Sequence, residues 1–258
     1  VALTVKFGIW IPYSEAKLVT RLARMAEQCG WDGIFIREFL IGMDSWIPIA
    51  AAALSTQEIL IGGVVSPFSE QNPRQVLREA YKIHRKSNRR LIVCLGDWYQ
   101  ESVERHADSR LDRQRADRIS YEYVGGKGAA WFAARLTIWR VGHWPDKQSI
   151  LAAIKNQGVI PVARQSDSDW RSPTIQEIRA ISDYVQQVRG TTQGFEIVVE
   201  VGFNGISPQE KISNPSAWAK AGATWWIING GRSVDGAQNT LQMERTIQKG
   251  PPQVGSGE

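Results

Sequence analysis

Residues 31–96 read WDGIFIREFL (31–40), IGMDSWIPIAAAALSTQE (41–58), ILIGGVVSPFSE (59–70), QNPRQVLREAYKIHRKSNRR (71–90) and LIVCLG (91–96). Three short apolar runs stand out in it: Gly33 to Ile36, Ile59 to Val65 and Leu91 to Leu95. Between them lie an Ala-rich and an amphipathic segment, each long enough for a helix. Short strands without polar alternation belong in a parallel sheet covered by helices, and parallel neighbours need a crossover of this length. Two successive β-α-β units therefore predict an α/β domain.

The same rhythm extends outward in both directions. Candidate strands are Val5 to Ile11, Gly33 to Arg37, Ile59 to Val65, Leu91 to Gly96, Leu136 to Gly142, Gly158 to Ala163, Phe195 to Val201 and Thr224 to Asn229. Most are followed by a helical pattern. Leu18, Leu22, Met25, Ala26 and Cys29 recur at helical spacing and end at Gly30; Asn72-Pro73, Ser172-Pro173 and Asn214-Pro215 read as helix starts, and Gly222 as a stop. A β-α unit met eight times predicts a single (β/α)8 barrel over residues 1–250, with 251–258 as a frayed tail. A doubly wound open sheet is the structural alternative, but the first turn, IPYSEA, lacks its glycine-rich signature. Tyr99 to Arg135 breaks the rhythm as a charged excursion after strand 4, with helix-type pairs such as Glu101 with Arg105.

The bulk composition narrows the function classes. The chain has 258 residues, 43% apolar and 22% charged, enough for one large core. Net charge is only +5, with Arg interleaved among acids, which argues against a nucleic-acid partner. Cys29 and Cys94 fall in a helical and a strand pattern, so buried free thiols are expected, and with no apolar run long enough to span a bilayer the expectation is a cytoplasmic, non-membrane protein. His84, His106 and His143 lack metal-ligand spacing, so no metal is expected, and His84 reads as an ordinary partly buried helix residue. Gly125-Gly126-Lys127-Gly128 reads as a flexible turn, since no strand leads into it.

In such a barrel, function collects where the strands end. Those ends carry Trp10, Pro12 and Tyr13, Arg37 and Glu38, Ser66 and Pro67, Asp97 and Trp98, His143, Trp144 and Lys147, Arg164, Glu200, and Asn229. An aromatic and basic rim suits a flat anionic ligand, although eleven Trp could equally be filling a wide barrel mouth.

WDGIFIREFL, DSWIPIAAAALSTQEILIGGVVSP (44–67) and LIVCLGDWY (91–99) resemble the luciferase-like monooxygenases, a family of flavin- or F420-dependent oxidoreductases. LTIWRVGHWPDK (136–147), GVIPVAR (158–164), AGATWWI (221–227) and ERTIQKGPP (244–252) are similar to its later strands and C-terminal end. The resemblance implies a barrel binding FMN, or alternatively F420, together with a small organic substrate at the C-terminal mouth. It also implies a homodimer and, for a monooxygenase, a separate flavin reductase. It places Gly142, His143, Trp144, Asp146 and Lys147 at the cofactor phosphate, with Asp146 where the family usually has Asn. Gly63, Val64 and Val65 match a third-strand bulge, often bearing a cis bond, that supports the flavin ring. Trp10, Trp98 and Trp144 would frame that ring, and Arg164 would join Lys147 in attracting phosphate. Glu38 matches a family Asp, but Phe39 stands where many members carry a catalytic His. Glu38, His143 and Tyr13 are then the candidate proton handlers, and the excursion at 99–135 is shorter than the family's. A catalytically degenerate barrel serving as a flavin-binding or scaffold protein is the alternative function, and a flavin-independent enzyme of sugar phosphates is a third.

Overall fold

A computed structural model describes residues 5–12, 15–37, 46–65, 73–96, 130–165, 170–201, 215–229 and 237–252. The strands are β1 (Lys6–Pro12), β2 (Gly33–Arg37), β3 (Leu60–Val65), β4 (Leu91–Leu95), β5 (Thr137–Trp144), β6 (Gly158–Arg164), β7 (Trp170–Arg171), β8 (Glu196–Val201) and β9 (Trp225–Asn229). The helices are α1 (Ala16–Gln28), α2 (Trp46–Ser55), α3 (Pro73–Lys86), α4 (Ala130–Ala133), α5 (Lys147–Ile154), α6 (Ile175–Arg189), α7 (Pro215–Lys220) and α8 (Ala237–Gln248). Neighbouring strands run parallel in the cyclic order β1-β2-β3-β4-β5-β6-β8-β9, and β9 returns to β1. The eight expected strands are present within two residues of their expected ends, and they close into a (β/α)8 barrel. The two-residue β7, antiparallel to the end of β6, is a further strand too short for periodicity to reveal. Pro73 and Pro215 do open α3 and α7; after Ser172-Pro173 the helix starts later, with Thr174 as its N-cap.

Alternation along the strands sorts residues into two cores. Facing the helices are Ile9, Ile11, Ile34, Ile36 and Ile61, which meet Val19, Leu22, Ala23 and Ala26 of α1 and the corresponding faces of other helices. Facing inward is a separate cluster of Trp10, Phe35, Ile92, Cys94, Trp139, Ile160, Val198, Trp225 and Ile227. Phe35 lies at its centre, 5.1 Å from Trp10, 5.4 Å from Trp139 in a stacked pose and 5.7 Å from Trp225 edge-on. Rings of this size fit the lumen because neighbouring strands carry glycine at the same level. A Cβ on Gly8 would sit 2.6 Å from the Phe35 ring, one on Gly158 2.7 Å from Trp139, and one on Gly62 would overlap Phe35 outright. Barrel interiors are solid layers of side chains, and here the layer is aromatic against glycine.

The N-terminal face of the barrel is clamped by two buried or half-buried ions. Arg90 donates to the carbonyls of Ala53 (2.6 Å), Thr56 (2.8 Å) and Ile59 (2.7 Å), and to Thr56 Oγ1 (2.9 Å). The guanidinium thus satisfies carbonyls around the end of α2 that no helical N–H reaches. Glu27 Oε1 accepts the N–H groups of Gln57, Glu58 and Ile59 at 2.8, 2.7 and 3.0 Å. Burial pushes the Glu27 carboxyl up, but those three amides, with Arg90 nearby, hold it below the ordinary carboxylate range. Cys29 and Cys94 are free thiols; Cys94 is buried as expected, whereas Cys29 is only half-buried, at the C-cap of α1. His84 is buried on α3, its Nδ1 3.1 Å from the Leu91 carbonyl, and burial pushes its imidazole pKa down.

These contacts set the expected outcome of three substitutions. Gly62→Ala forces a methyl into the Phe35 ring and should lower stability in urea unfolding by about 1–3 kcal/mol. Gly30→Ala, with open space around it but φ +81°, should lose only about 1 kcal/mol. Because the folded Glu27 pKa lies below its unfolded value, its contribution is complete above the unfolded pKa and fades as pH falls through the folded one. Glu27→Gln should therefore be less stable than wild type by about 1–3 kcal/mol at neutral pH, with the gap closing below about pH 4. A gap independent of pH would remove the carboxylate from this role.

Candidate functional site

The chemistry-bearing residues that the structure brings together lie where β5 and β6 end. In β5, Gly142 faces the helices: a Cβ there would sit 2.7 Å from both Ile150 and Val159, so the small residue lets α5 pack directly over the strand. The Trp144–Pro145 bond is cis, and Asp146 caps α5, its carboxylate accepting the N–H of Gln148 at 2.9 Å. Asp at this position is a favourable cap that also complements the helix dipole. It places a negative charge on the same amides that the resemblance assigns to a cofactor phosphate.

His143 and Ser149 form the pair nearest the end of β5. The His143 N–H donates to Ser149 Oγ at 2.9 Å, and His143 Nδ1 lies 3.2 Å from that oxygen. The buried serine hydroxyl already accepts the backbone N–H, which favours its donating to Nδ1; in that tautomer the neutral imidazole carries its proton on Nε2. Arg164 ends β6, exposed, one position beyond the pairing of Trp144 with Ala163. Its partner across the short antiparallel bridge is Trp170, and the adjoining Arg171 holds Glu177 through two bonds of 2.7 and 2.8 Å. Burial pushes the Glu177 carboxyl up, but Arg171 and the Thr174 N–H and hydroxyl outweigh it and keep it low. In β8, Glu200 is buried at 5% exposure, two residues beyond the lumen-facing Val198, and its carbonyl accepts from Ser172 Oγ at 2.9 Å.

Other expected site residues take different places. Trp10 lies inside the barrel, 1% exposed, as part of the aromatic floor beneath the mouth. Gly63 faces outward, where a Cβ would meet Ile49 of α2 at 2.6 Å. β3 pairs residue for residue with β4 as far as Val65, so Gly63, Val64 and Val65 form a regular strand and not the bulge expected from the resemblance. Lys147 Nζ sits 5.4 Å above the ring of Tyr184 on α6. Trp144 is half-buried and packs against the outer core. Tyr13, Glu38, Phe39 and Trp98, and the charged segment as far as residue 129, lie outside the described residues. Ser149 is the site residue that sequence reasoning missed; its spacing from His143 across a turn carries no motif. Among the described residues, no group of three His, Cys, Asp or Glu could hold a metal ion, and no helix is long and apolar enough to cross a membrane.

Comparison with known proteins agrees with the fold. The family profile of the luciferase-like monooxygenases matches residues 2–125. No curated protein matches the chain in sequence. Among solved structures, the coenzyme F420-dependent tetrahydromethanopterin reductase from Methanopyrus kandleri superposes with TM-score 0.63 at 11% identity, covering 96% of this chain and 98% of its own. The oxygenating constituent of 3,6-diketocamphane monooxygenase from Pseudomonas putida, in complex with FMN, gives TM-score 0.59 at 12% identity over 95% and 98%. A Toxoplasma gondii barrel assigned to the deoxyribose-phosphate aldolases gives 0.57 at 12% over 96% and 95%. At these identities the superpositions speak for the barrel, which unrelated chemistries share; the family profile speaks for luciferase-like sequence over residues 2–125.

The Ser149 hydroxyl makes a specific prediction about its neighbour. In wild type, nitrogen-15 NMR of the imidazole should show His143 with Nδ1 unprotonated and Nε2 protonated. Ser149→Ala should populate the opposite tautomer, while the conservative Ser149→Thr should restore the wild-type pattern. An unchanged tautomer ratio in Ser149→Ala would dismiss the hydroxyl as the controlling group.

Proposed function

We propose that the chain is a luciferase-like oxidoreductase that binds a flavin-type cofactor, FMN first and F420 as the alternative, and acts on a small organic substrate at the C-terminal mouth. The observation that carries this reading is the luciferase-like match over residues 2–125 on a barrel whose later half closes the same fold. The described residues suit the ring end of such a cofactor. Trp10 and Phe35 make a dry aromatic floor, and the end of β5 supplies a half-buried His143 set by Ser149. The bound cofactor would supply the redox chemistry, as oxygen activation by reduced FMN or hydride exchange by F420.

The chain's own residues would bind, orient and handle protons. His143, holding its proton at Nε2, is suited to donate a hydrogen bond or a proton to a substrate oxygen. Glu38 and Tyr13 complete the proposed proton-handling set, with Trp98 alongside the ring; Trp144, Gly142 and Gly63 face the helices and bear on the mouth only by packing α2 and α5 against the strands. For the phosphate, Arg164 is the favoured contact over Lys147. The latter is engaged with Tyr184, and the α5 amides beside it are served by Asp146. The proposed homodimer has an apolar face to use. α2 is hydrophobic nearly all round and leaves Ile47 and Leu54 at 60% and 61% exposure, seven residues apart on one side. A separate reductase would deliver the reduced flavin if FMN is the cofactor.

Titration of the purified protein with FMN, riboflavin and F420, followed by tryptophan and cofactor fluorescence, tests this reading. Saturable micromolar binding is expected, with substrate-dependent consumption of reduced cofactor. Arg164→Glu should weaken FMN about tenfold, roughly 1.4 kcal/mol, and leave riboflavin unchanged. Sedimentation should return twice the 28.9 kDa chain mass. Binding without turnover would point to the degenerate scaffold instead, and absence of binding by either cofactor would end the flavin-type reading.

A further inference from the structure

At the opposite end of the barrel from the mouth, a cleft of about 690 Å³ opens between the end of α3 and the start of β5. Its walls include Arg85, Arg89 and Arg135, with Tyr81, His84 and Thr137. No Asp or Glu lines it, and none of the three arginines makes an ion pair among the described residues. Three guanidinium groups around one concavity repel one another and raise the local potential, an arrangement that an anionic ligand would relieve.

Arg85 alone has a structural explanation, because a cation in the last turn of α3 complements the helix dipole. That explanation does not extend to the other two. Arg89 follows Asn88 in a pair of left-handed residues, φ +65° and +53°. Such a conformation is uncommon for a long side chain, and its turn is fixed by the Arg89 N–H donating to the His84 carbonyl at 2.7 Å. Arg135 comes from a different element, beyond α4. Its guanidinium lies 4.1 Å from the centre of the Trp131 ring and donates one N–H to the Trp131 carbonyl at 3.0 Å. Trp131 is 48% exposed and is held edge-on by Tyr81 at 5.2 Å. The third cation is therefore positioned by an aromatic shelf, with further N–H donors left to turn toward a ligand. His84 bonds the Leu91 carbonyl through Nδ1 and offers Nε2 as an acceptor for a ligand hydroxyl.

We propose that this cleft on the N-terminal face binds a small phosphorylated anion of up to mononucleotide size, at a site separate from the C-terminal mouth. The volume falls in the range of small-molecule sites and exceeds what a lone phosphate needs. The planar forks of arginine suit the oxygens of a phosphoryl group, which accept two parallel N–H bonds from each.

Inorganic pyrophosphate is the probe, titrated by calorimetry into the full chain at low ionic strength. One saturable site is expected. Arg85→Gln and Arg135→Gln should each weaken it about tenfold, equivalent to roughly 1.4 kcal/mol, while Arg164→Glu at the mouth leaves it unchanged. Both arginines are exposed, so the variants should keep the wild-type melting temperature. Amide shifts of Asn88 and Thr137 on adding pyrophosphate to wild type give a readout that needs no variant. Three results overturn the proposal: no saturation, loss of binding in Arg164→Glu but not in Arg85→Gln or Arg135→Gln, or tighter binding of citrate than of pyrophosphate. Affinity for single-stranded oligonucleotides that grows with length, with pyrophosphate failing to saturate, would instead make this face a nucleic-acid surface.

Discussion

The fit of the Phe35 ring against glycine is the contact on which this barrel depends. Gly8 and Gly33 on β1 and β2, and Gly62 on β3, leave room that a single methyl would remove, and the ring fills it while touching Trp10, Trp139 and Trp225. Four large rings in one lumen need matching absences on the strands between them, or the strands could not close at this circumference. Closure in turn fixes the register of every strand end, and so the spacing of His143, Arg164 and Glu200 around the mouth. The buried indole N–H groups of Trp139 and Trp225 have no hydrogen-bond acceptor among the described residues, so packing holds these rings, joined at Trp225 by the Lys6 ammonium 5.3 Å from its centre.

The two ends of the barrel are built from different interactions. At the N-terminal face, Glu27 and Arg90 take up backbone groups at the turns before β3 and beside α2, so the feet of the strands are tied by charge-assisted bonds. At the C-terminal face, the residues that bear on chemistry sit on short side-chain contacts such as His143 with Ser149. A base whose backbone groups are tied in this way lets the opposite rim vary in sequence without loss of the fold.

The sequence carried the architecture plainly and the site only in part, for physical reasons that particular residues show. Ile59 to Val65 and Leu91 to Leu95 are apolar on both faces because helices cover one side and a filled lumen the other, so the pattern itself announced parallel strands. Gly30 and Gly222 stopped helices where left-handed backbone is needed. The tryptophans misled in one respect: the end of a strand in sequence suggested that Trp10 lies at the mouth, whereas its inward parity and the glycines around it bury it in the floor. Gly63 and Gly142 look like residues that let a ligand approach, but each admits a helix. Lys147 has a cation's charge in any sequence; only coordinates reveal the Tyr184 ring beneath it. Ser149 was invisible because a serine two residues into a helix carries no signature until the histidine it bonds is placed beside it.

The pairing of β1 with β9 has a bearing on how the chain reaches this state. Strands at opposite ends of the described sequence, Lys6–Trp225 through Trp10–Asn229, form one seam of the cylinder, and Trp31 Nε1 reaches across to the Ile247 carbonyl at 2.9 Å. On a ribosome the first strand must then wait, with one flank of its amides unsatisfied, for more than two hundred residues of synthesis. During that interval a half-cylinder presents an open, β-branched edge, a surface on which nascent copies can template one another. The last two strands thus act as the keystone that retires an aggregation hazard, and their arrival sets the moment at which the molecule becomes safe in a crowded cell.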